Sequence, residues 1–172
     1  MGQQLILRPS AAGSSGQSNV GAGGDRVSAV SETTADGDTS YVYAAAGAGA
    51  KFDFFTPDGN GLPPHCEING VAVYITAKQS GLGTGSTAQA AIKVGGTPSA
   101  GSSHALTGSY VEYNQGYPIN PVSLSAWTKY DIDNLEIGYV IQAGSGSTEA
   151  RLTQCYVLID YEPASDALFF GP

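Results

Sequence analysis

The side chains that could do chemistry in this chain are few, and their spacing does not assemble a reaction centre. Of the two histidines, His65 adjoins Cys66 and His104 stands apart. Neighbours on a strand point to opposite faces, so His65 and Cys66 do not form a nucleophile–base dyad. Asp131 and Asp133 are paired carboxylates, but they sit beside Thr128, where a helical turn is expected. There Asp131 completes an Asp variant of a capping box with Thr128, and Asp133 is left to solvent. Asp36/Asp38 and Asp58/Asn60 look like fragments of calcium loops, yet neither has the full ligand series or the terminal Glu. Asp-Gly and Asn-Gly turns explain them. Gly85-Ser86-Thr87 lacks the lysine and the following helix of a phosphate loop. Cys66 and Cys155 have no histidines at zinc-ligand spacing and are read as buried free thiols. No catalytic residue, metal ligand or cofactor site is assigned, no cofactor is called for, and the chain is not expected to be an enzyme.

The elements that would have to position such residues point to one class of fold. The 172 residues include 24 Gly, only 7 Lys+Arg and 15 Asp+Glu, for a formal charge of −8. Glycine is costly inside helices and the strong helix formers Glu, Lys and Arg are scarce, so an all-β domain with many turns is expected. The basic residues fall singly along the chain. They form no stripe that would displace counterions from phosphates, so nucleic acid is not an expected partner. No run approaches the roughly 20 apolar residues of a membrane helix. The N-terminal residues lack the pattern of a signal peptide, so synthesis and assembly in a cytoplasm are expected.

Periodicity sharpens the picture. Residues 5–7 form a short strand stopped by Pro9. Residues 10–24 are rich in Gly, Ala and Ser and read as an extended arm. A weak strand is expected over 27–30, a turn over 33–39, and strands over 40–46 and 51–55. The clearest alternation puts Val71, Val73, Ile75 and Ala77 on one face, with Gly70 marking a bulge that lets Ile68 and Cys66 also point inward. Further strands are expected over 88–94, 104–113 and 137–143, followed by a hairpin turn at 144–147. The last strand, 150–161, turns Cys155, Val157, Ile159 and Tyr161 to one side. The fold class is therefore an antiparallel β-sandwich, jelly-roll-like, with an extended N-terminal arm and a short C-terminal tail. The divisions are 1–35 for the first strand and arm, 36–163 for the sandwich, and 164–172 for the tail.

Two features lie outside that scaffold. The ten tyrosines either line a sugar- or protein-binding face or are ordinary sheet composition. The tail carries Leu168, Phe169 and Phe170, an aggregation hazard if exposed. These three are the candidate assembly contacts, docking on the chain's own sheet or on a neighbour.

Four stretches give the chain a resemblance. They are Leu7-Arg8-Pro9 ending the first strand, Asp36-Gly37-Asp38-Thr39-Ser40-Tyr41-Val42, Ile68-Asn69-Gly70-Val71-Ala72-Val73, and the segment from Trp127-Thr128 through Leu135-Glu136-Ile137-Gly138 and Arg151-Leu152-Thr153-Gln154-Cys155-Tyr156-Val157 to Asp160-Tyr161-Glu162-Pro163. In this order they resemble the β-sandwich structural proteins of tailed-bacteriophage virions. The resemblance implies a non-enzymatic virion protein, first of all a capsid decoration protein that binds the shell and its own copies. A neck or tail accessory, or a tail-tip carbohydrate- or receptor-binding module, is the alternative. The implied partners are the major capsid or neck/tail proteins and further copies of the chain, trimers included.

Overall fold

The computed structural model describes residues 2–59 and 61–164. Alternation of apolar and polar residues builds two antiparallel sheets that face each other. The strands are β1 (Gln3–Leu7), β2 (Pro9–Gly16), β3 (Asn19–Ala22), β4 (Tyr41–Ala44), β5 (Lys51–Pro57), β6 (Glu67–Ser80), β7 (Thr87–Val94), β8 (Thr97–Ala100), β9 (His104–Ala105), β10 (Val111–Tyr117), β11 (Leu135–Gln142) and β12 (Glu149–Glu162). Sheet A has the order β10-β6-β12-β4-β3, with β1 also on β12; sheet B has the order β2-β5-β11-β7-β8, with β9 also on β7.

The longest pairing, β6 with β12, carries the core of sheet A. Val71, Val73 and Ile75 face inward opposite Ile159, Val157 and Cys155, and all are fully buried. Ile92, Ile137, Tyr139, Ile141 and Phe55 answer them from sheet B. Each such aliphatic side chain stabilises the fold by roughly 1.5–3 kcal/mol relative to exposure. The register slips where the sequence marks it. Between Asp160 and Tyr161 the partner strand advances from Gly70 to Ile68, so Asn69 is the extra residue and Ile68 turns inward. A second slip at Thr153 frees the amide of Cys155, which donates to the carbonyl of Val30 at 2.8 Å.

Trp127 is buried, and its indole N–H donates to the Tyr117 carbonyl at 2.8 Å. Next to it, α1 (Lys129–Asp133) is capped by Thr128 and Asp131 in the reciprocal manner of a capping box.

Four expectations need correction. Residues 10–24 are not an arm but the outer strands β2 and β3, one on each sheet. They lack apolar side chains because the ladder, not side-chain burial, holds them. At Gly13 a Cβ would lie 2.6 Å from the Phe54 carbonyl oxygen, so only glycine lets β2 come this close. Residues 27–30 form a helical turn rather than a strand: the Ala29 amide donates to Asp25 at 3.0 Å, and Ala29 and Val30 plug the core. The expected strand at 104–113 is divided between β9 on sheet B and β10 on sheet A. Residues 144–147 are no hairpin turn, because they carry the chain from β11 in sheet B to β12 in sheet A. They run beside the β6–β7 crossing, with Ser145 N–H donating to Thr84 at 2.9 Å and Ser147 N–H to Leu82 at 3.2 Å.

Candidate functional site

Antiparallel register decides which side chains share the solvent face of sheet A. Strands β12 and β6 pair Tyr156 with Tyr74 and Arg151 with Lys78; β12 and β4 pair Arg151 with Tyr43. Alternation about the buried valines and isoleucines turns Tyr74, Lys78 and Tyr156 outward, and the slip at Thr153 brings Arg151, five residues before Tyr156, onto the same face. The result is a surface of tyrosines and cations in cross-strand rows.

The first row is a stack. The rings of Tyr74 and Tyr156 lie 4.9 Å apart with an interplanar angle of 2°, and the Arg8 guanidinium covers Tyr156 at 5.6 Å. The Tyr156 hydroxyl donates to Glu112 on β10 at 3.0 Å. Burial, the Glu112 hydrogen bond and its charge push the Tyr156 phenol up to about 12.

The second row gathers around Asp38, in the 3-10 turn Gly37–Thr39. Asp38 accepts from Lys78 Nζ at 2.5 Å, Arg151 Nη1 at 2.9 Å and the Tyr110 hydroxyl at 3.1 Å. The Lys78 hydrogen bond above all holds its carboxyl below the usual carboxylate range. Lys78 also lies over the Tyr110 ring at 4.7 Å, and Arg151 over Tyr41 at 4.5 Å. Tyr41 and Tyr43 stand 6.2 Å apart, tilted by 53°. Burial and the Asp38 charge push the Tyr110 phenol above its ordinary value.

Beside the stack, β6, β10 and β12 enclose a shallow groove of about 280 Å³ lined by Gly70, Ala72, Gly116, Pro118, Leu158 and Asp160.

The residues singled out from sequence scatter over the molecule. His65 is exposed in the loop before β6, with φ 63°. Its neighbour Cys66 is half-buried, not buried, and Cys155 is fully buried; both are free thiols. His104 stacks on Tyr113 at 4.9 Å. Asp131 caps α1, and Asp133 pairs with Lys129 at 2.8 Å. Asp36 is tied to Ser40 and Thr153, each at 3.1 Å. Asp58 accepts the Arg8 amide at 2.7 Å and so fixes the β1–β2 corner. Asn60, Leu168, Phe169 and Phe170 lie outside the described residues. Among the described residues no group of three or more His, Cys, Asp or Glu is placed to hold a metal. The sequence offered all ten tyrosines as a possible face without saying which of them share one. Joining Tyr41 and Tyr43 to Tyr74 and Tyr156 needs the β4–β12–β6 register.

No family model matches the chain, and no curated protein does. Among solved structures it is similar to the C-terminal CBM6 of LamC, a laminarinase of the marine organism Zobellia galactanivorans. The TM-score is 0.43 at 9% identity, over 90% of this chain and 98% of that one. It is also similar to a structure of infectious bursal disease virus, Gx strain, with a TM-score of 0.35 at 8% identity, over 94% of this chain and 36% of that one. Such likenesses concern the fold alone. The chain is an all-β, jelly-roll-like sandwich of two antiparallel sheets.

Proposed function

We propose that this chain is a non-enzymatic binding module of a tailed-bacteriophage virion that works through the tyrosine face of sheet A, with a glycan or glycan-bearing receptor as its target. The observation that carries the reading is the gathering of Tyr41, Tyr43, Tyr74 and Tyr156 on one solvent face among Asp38, Glu112, Lys78 and Arg151. Aromatic rings among hydrogen-bonding charged groups suit a sugar, which has apolar C–H faces and a polar rim. The same groups suit binding better than proton transfer. The Asp38 carboxyl is held below its ordinary value and the Tyr110 and Tyr156 phenols above theirs, so none of them titrates near neutrality. The virion setting rests on the sequence resemblance over residues 5–163.

Capsid decoration is the second reading. It is favoured by the row Ile6, Leu158, Ala72 and Gly116, which runs apolar across four strands of the same face and suits a protein surface. One pair of experiments separates the two. A panel of host-surface glycans is titrated against the protein and against Tyr43→Ala and Tyr74→Ala. Saturable binding lost in both variants supports the glycan reading. Absence of glycan binding, together with hundreds of copies per purified particle, overturns it in favour of decoration.

A further inference from the structure

The sandwich has an open edge where two of its outer strands part. From the link at residues 17–18, β2 belongs to sheet B and β3 to sheet A. A pocket of about 800 Å³ remains beside them, lined by Ala11 and Ala12 of β2, Val20 of β3, and Arg26, Val27 and Ser31. That volume is in the range of small-ligand sites, roughly 300–1,000 Å³. None of the side chains of the tyrosine rows lines it.

Arg26 gives the pocket its chemistry. A Cβ placed on Gly16 would lie 2.6 Å from Arg26 Nη2 and 2.8 Å from both Cζ and Nε. Three guanidinium atoms at nearly one distance mean that its flat face rests on Gly16, and only glycine leaves that room. The N–H donors lie in the plane of the group, so this contact uses none of them. The side chains of Arg8, Lys78, Lys93, Lys129 and Arg151 all donate to protein oxygens. Half-buried Arg26 makes no hydrogen bond or ion pair among the described residues. Its neighbour Asp25 feels its charge through space but accepts from Ser28 instead, from the amide at 2.8 Å and the hydroxyl at 3.1 Å.

A guanidinium with unspent donors matches a carboxylate through two parallel hydrogen bonds. The alkyl groups of Ala12, Val20 and Val27 and the Ser31 hydroxyl suit the C–H and O–H groups of a sugar ring around it. A formal charge of −8, with Asp25 also on the wall, works against a polyanion or a phosphate dianion and leaves a single carboxylate. We propose that this pocket is a second binding site, for a carboxylate-bearing sugar unit of the uronic or sialic acid class, with Arg26 holding the carboxylate. The choice of a sugar rests on the glycan reading above; the location does not.

Glucuronic acid and N-acetylneuraminic acid, titrated singly against the isotope-labelled full chain, test it, with glucose and acetate as controls. One of the acids is expected to saturate with a Kd on the order of 1 mM, shifting the amide signals of residues 24–28. Glucose lacks the carboxylate and acetate lacks the ring, so each should bind about tenfold more weakly or worse. Arg26→Gln should weaken the acid by a similar factor. Ala12→Phe, which fills the pocket from an exposed position on β2, should do the same and decides the matter if Arg26→Gln fails to fold. Saturation by neither acid overturns the proposal, as does an affinity that both variants leave unchanged. Acetate binding as tightly as the acids reduces the pocket to a simple anion site and overturns the sugar. Shifts at residues 41–43, 74 and 156 in place of 24–28 move the acid to the tyrosine face, which overturns this site and leaves the glycan reading standing. Saturation of the pocket while the glycan panel fails on the tyrosine face does the reverse.

Discussion

The Tyr139 hydroxyl donates a 2.6 Å hydrogen bond to Oδ2 of Asp53 inside the sandwich, where both residues are fully buried. The same carboxylate accepts from the Ser18 hydroxyl and the Gln17 amide, and from the Ser18 amide at 3.2 Å. Residues 17 and 18 are the link between β2 and β3, where the chain passes from sheet B to sheet A. One buried carboxylate therefore clasps the crossover of a segment that has almost no apolar groups of its own. Burial and the Asp53 charge also push the Tyr139 phenol well up.

Asp53→Ala is expected to strand several buried donors at once, each costing about 1–3 kcal/mol. Chemical denaturation should show the loss, and hydrogen exchange should place it first at residues 9–22. Tyr139→Phe, which removes one donor and leaves the carboxylate its other partners, should cost much less. Equal exchange in β2 and β3 before and after Asp53→Ala would refute the clasp.

Gly138 sits against β5 so closely that a Cβ would lie 1.9 Å from the Asp53 carbonyl oxygen. Backbone cannot yield like a side-chain tip. Gly138→Ala is therefore expected to part β5 from β11 and cost more than the usual 1–3 kcal/mol or so of overpacking. A soluble variant with an unchanged melting curve would contradict this.

Val157 is fully buried on the inward face of β12. Val157→Asp places an unpaired charge there, costing several kcal/mol on the order expected for a buried ion. No soluble folded protein is expected. Leu158→Asp, on the outward face, should still fold.

The two thiols are expected to differ. Burial pushes Cys155 far above its ordinary value, so it should resist alkylation until the protein unfolds. Cys66 is half-buried and should label in the native state. Mass spectrometry after timed alkylation distinguishes them; native labelling at Cys155 would contradict its placement.

Stability should fall at both ends of the pH range. The folded Asp38 carboxyl lies below its ordinary 3.8, so its contribution is intact above that value and lost as pH falls through the folded one. The Tyr117 and Tyr156 phenols are raised to about 12 from an ordinary 10.0, mainly by burial. Their contribution is complete below 10.0 and lost as pH climbs through about 12. A spectrophotometric titration should show these tyrosines ionising late, together with unfolding.

Much of this was legible in the chain. The Val71–Ala77 alternation, the slip beside Gly70 and the Thr128–Asp131 cap each have a local cause, and local causes are written in consecutive residues. β2 and β3 were not legible because backbone ladders and a carboxylate thirty-five residues away hold them. Periodicity says nothing of either. The 144–147 turn misled because turn chemistry is the same whether a chain reverses within a sheet or crosses to the other. The tyrosine face needed the register between strands far apart in sequence.

The pairing of β1 with β12 has a mechanical side. Gln3 lies opposite Tyr161 and Leu7 opposite Val157, so the strands nearest the two chain ends are antiparallel and share an open end. Tension applied between residues 2 and 164 loads one rung of that ladder at a time, from Gln3–Tyr161 inward, and peels β1 away like a zipper. Pulling instead between residue 2 and an attachment beyond Leu7 on the far end of the sandwich would load all the rungs in shear. The domain is thus compliant when residues 2 and 164 are pulled apart and stiff along its strands, and a single-molecule experiment with handles at the two pairs of positions would read the difference directly as force.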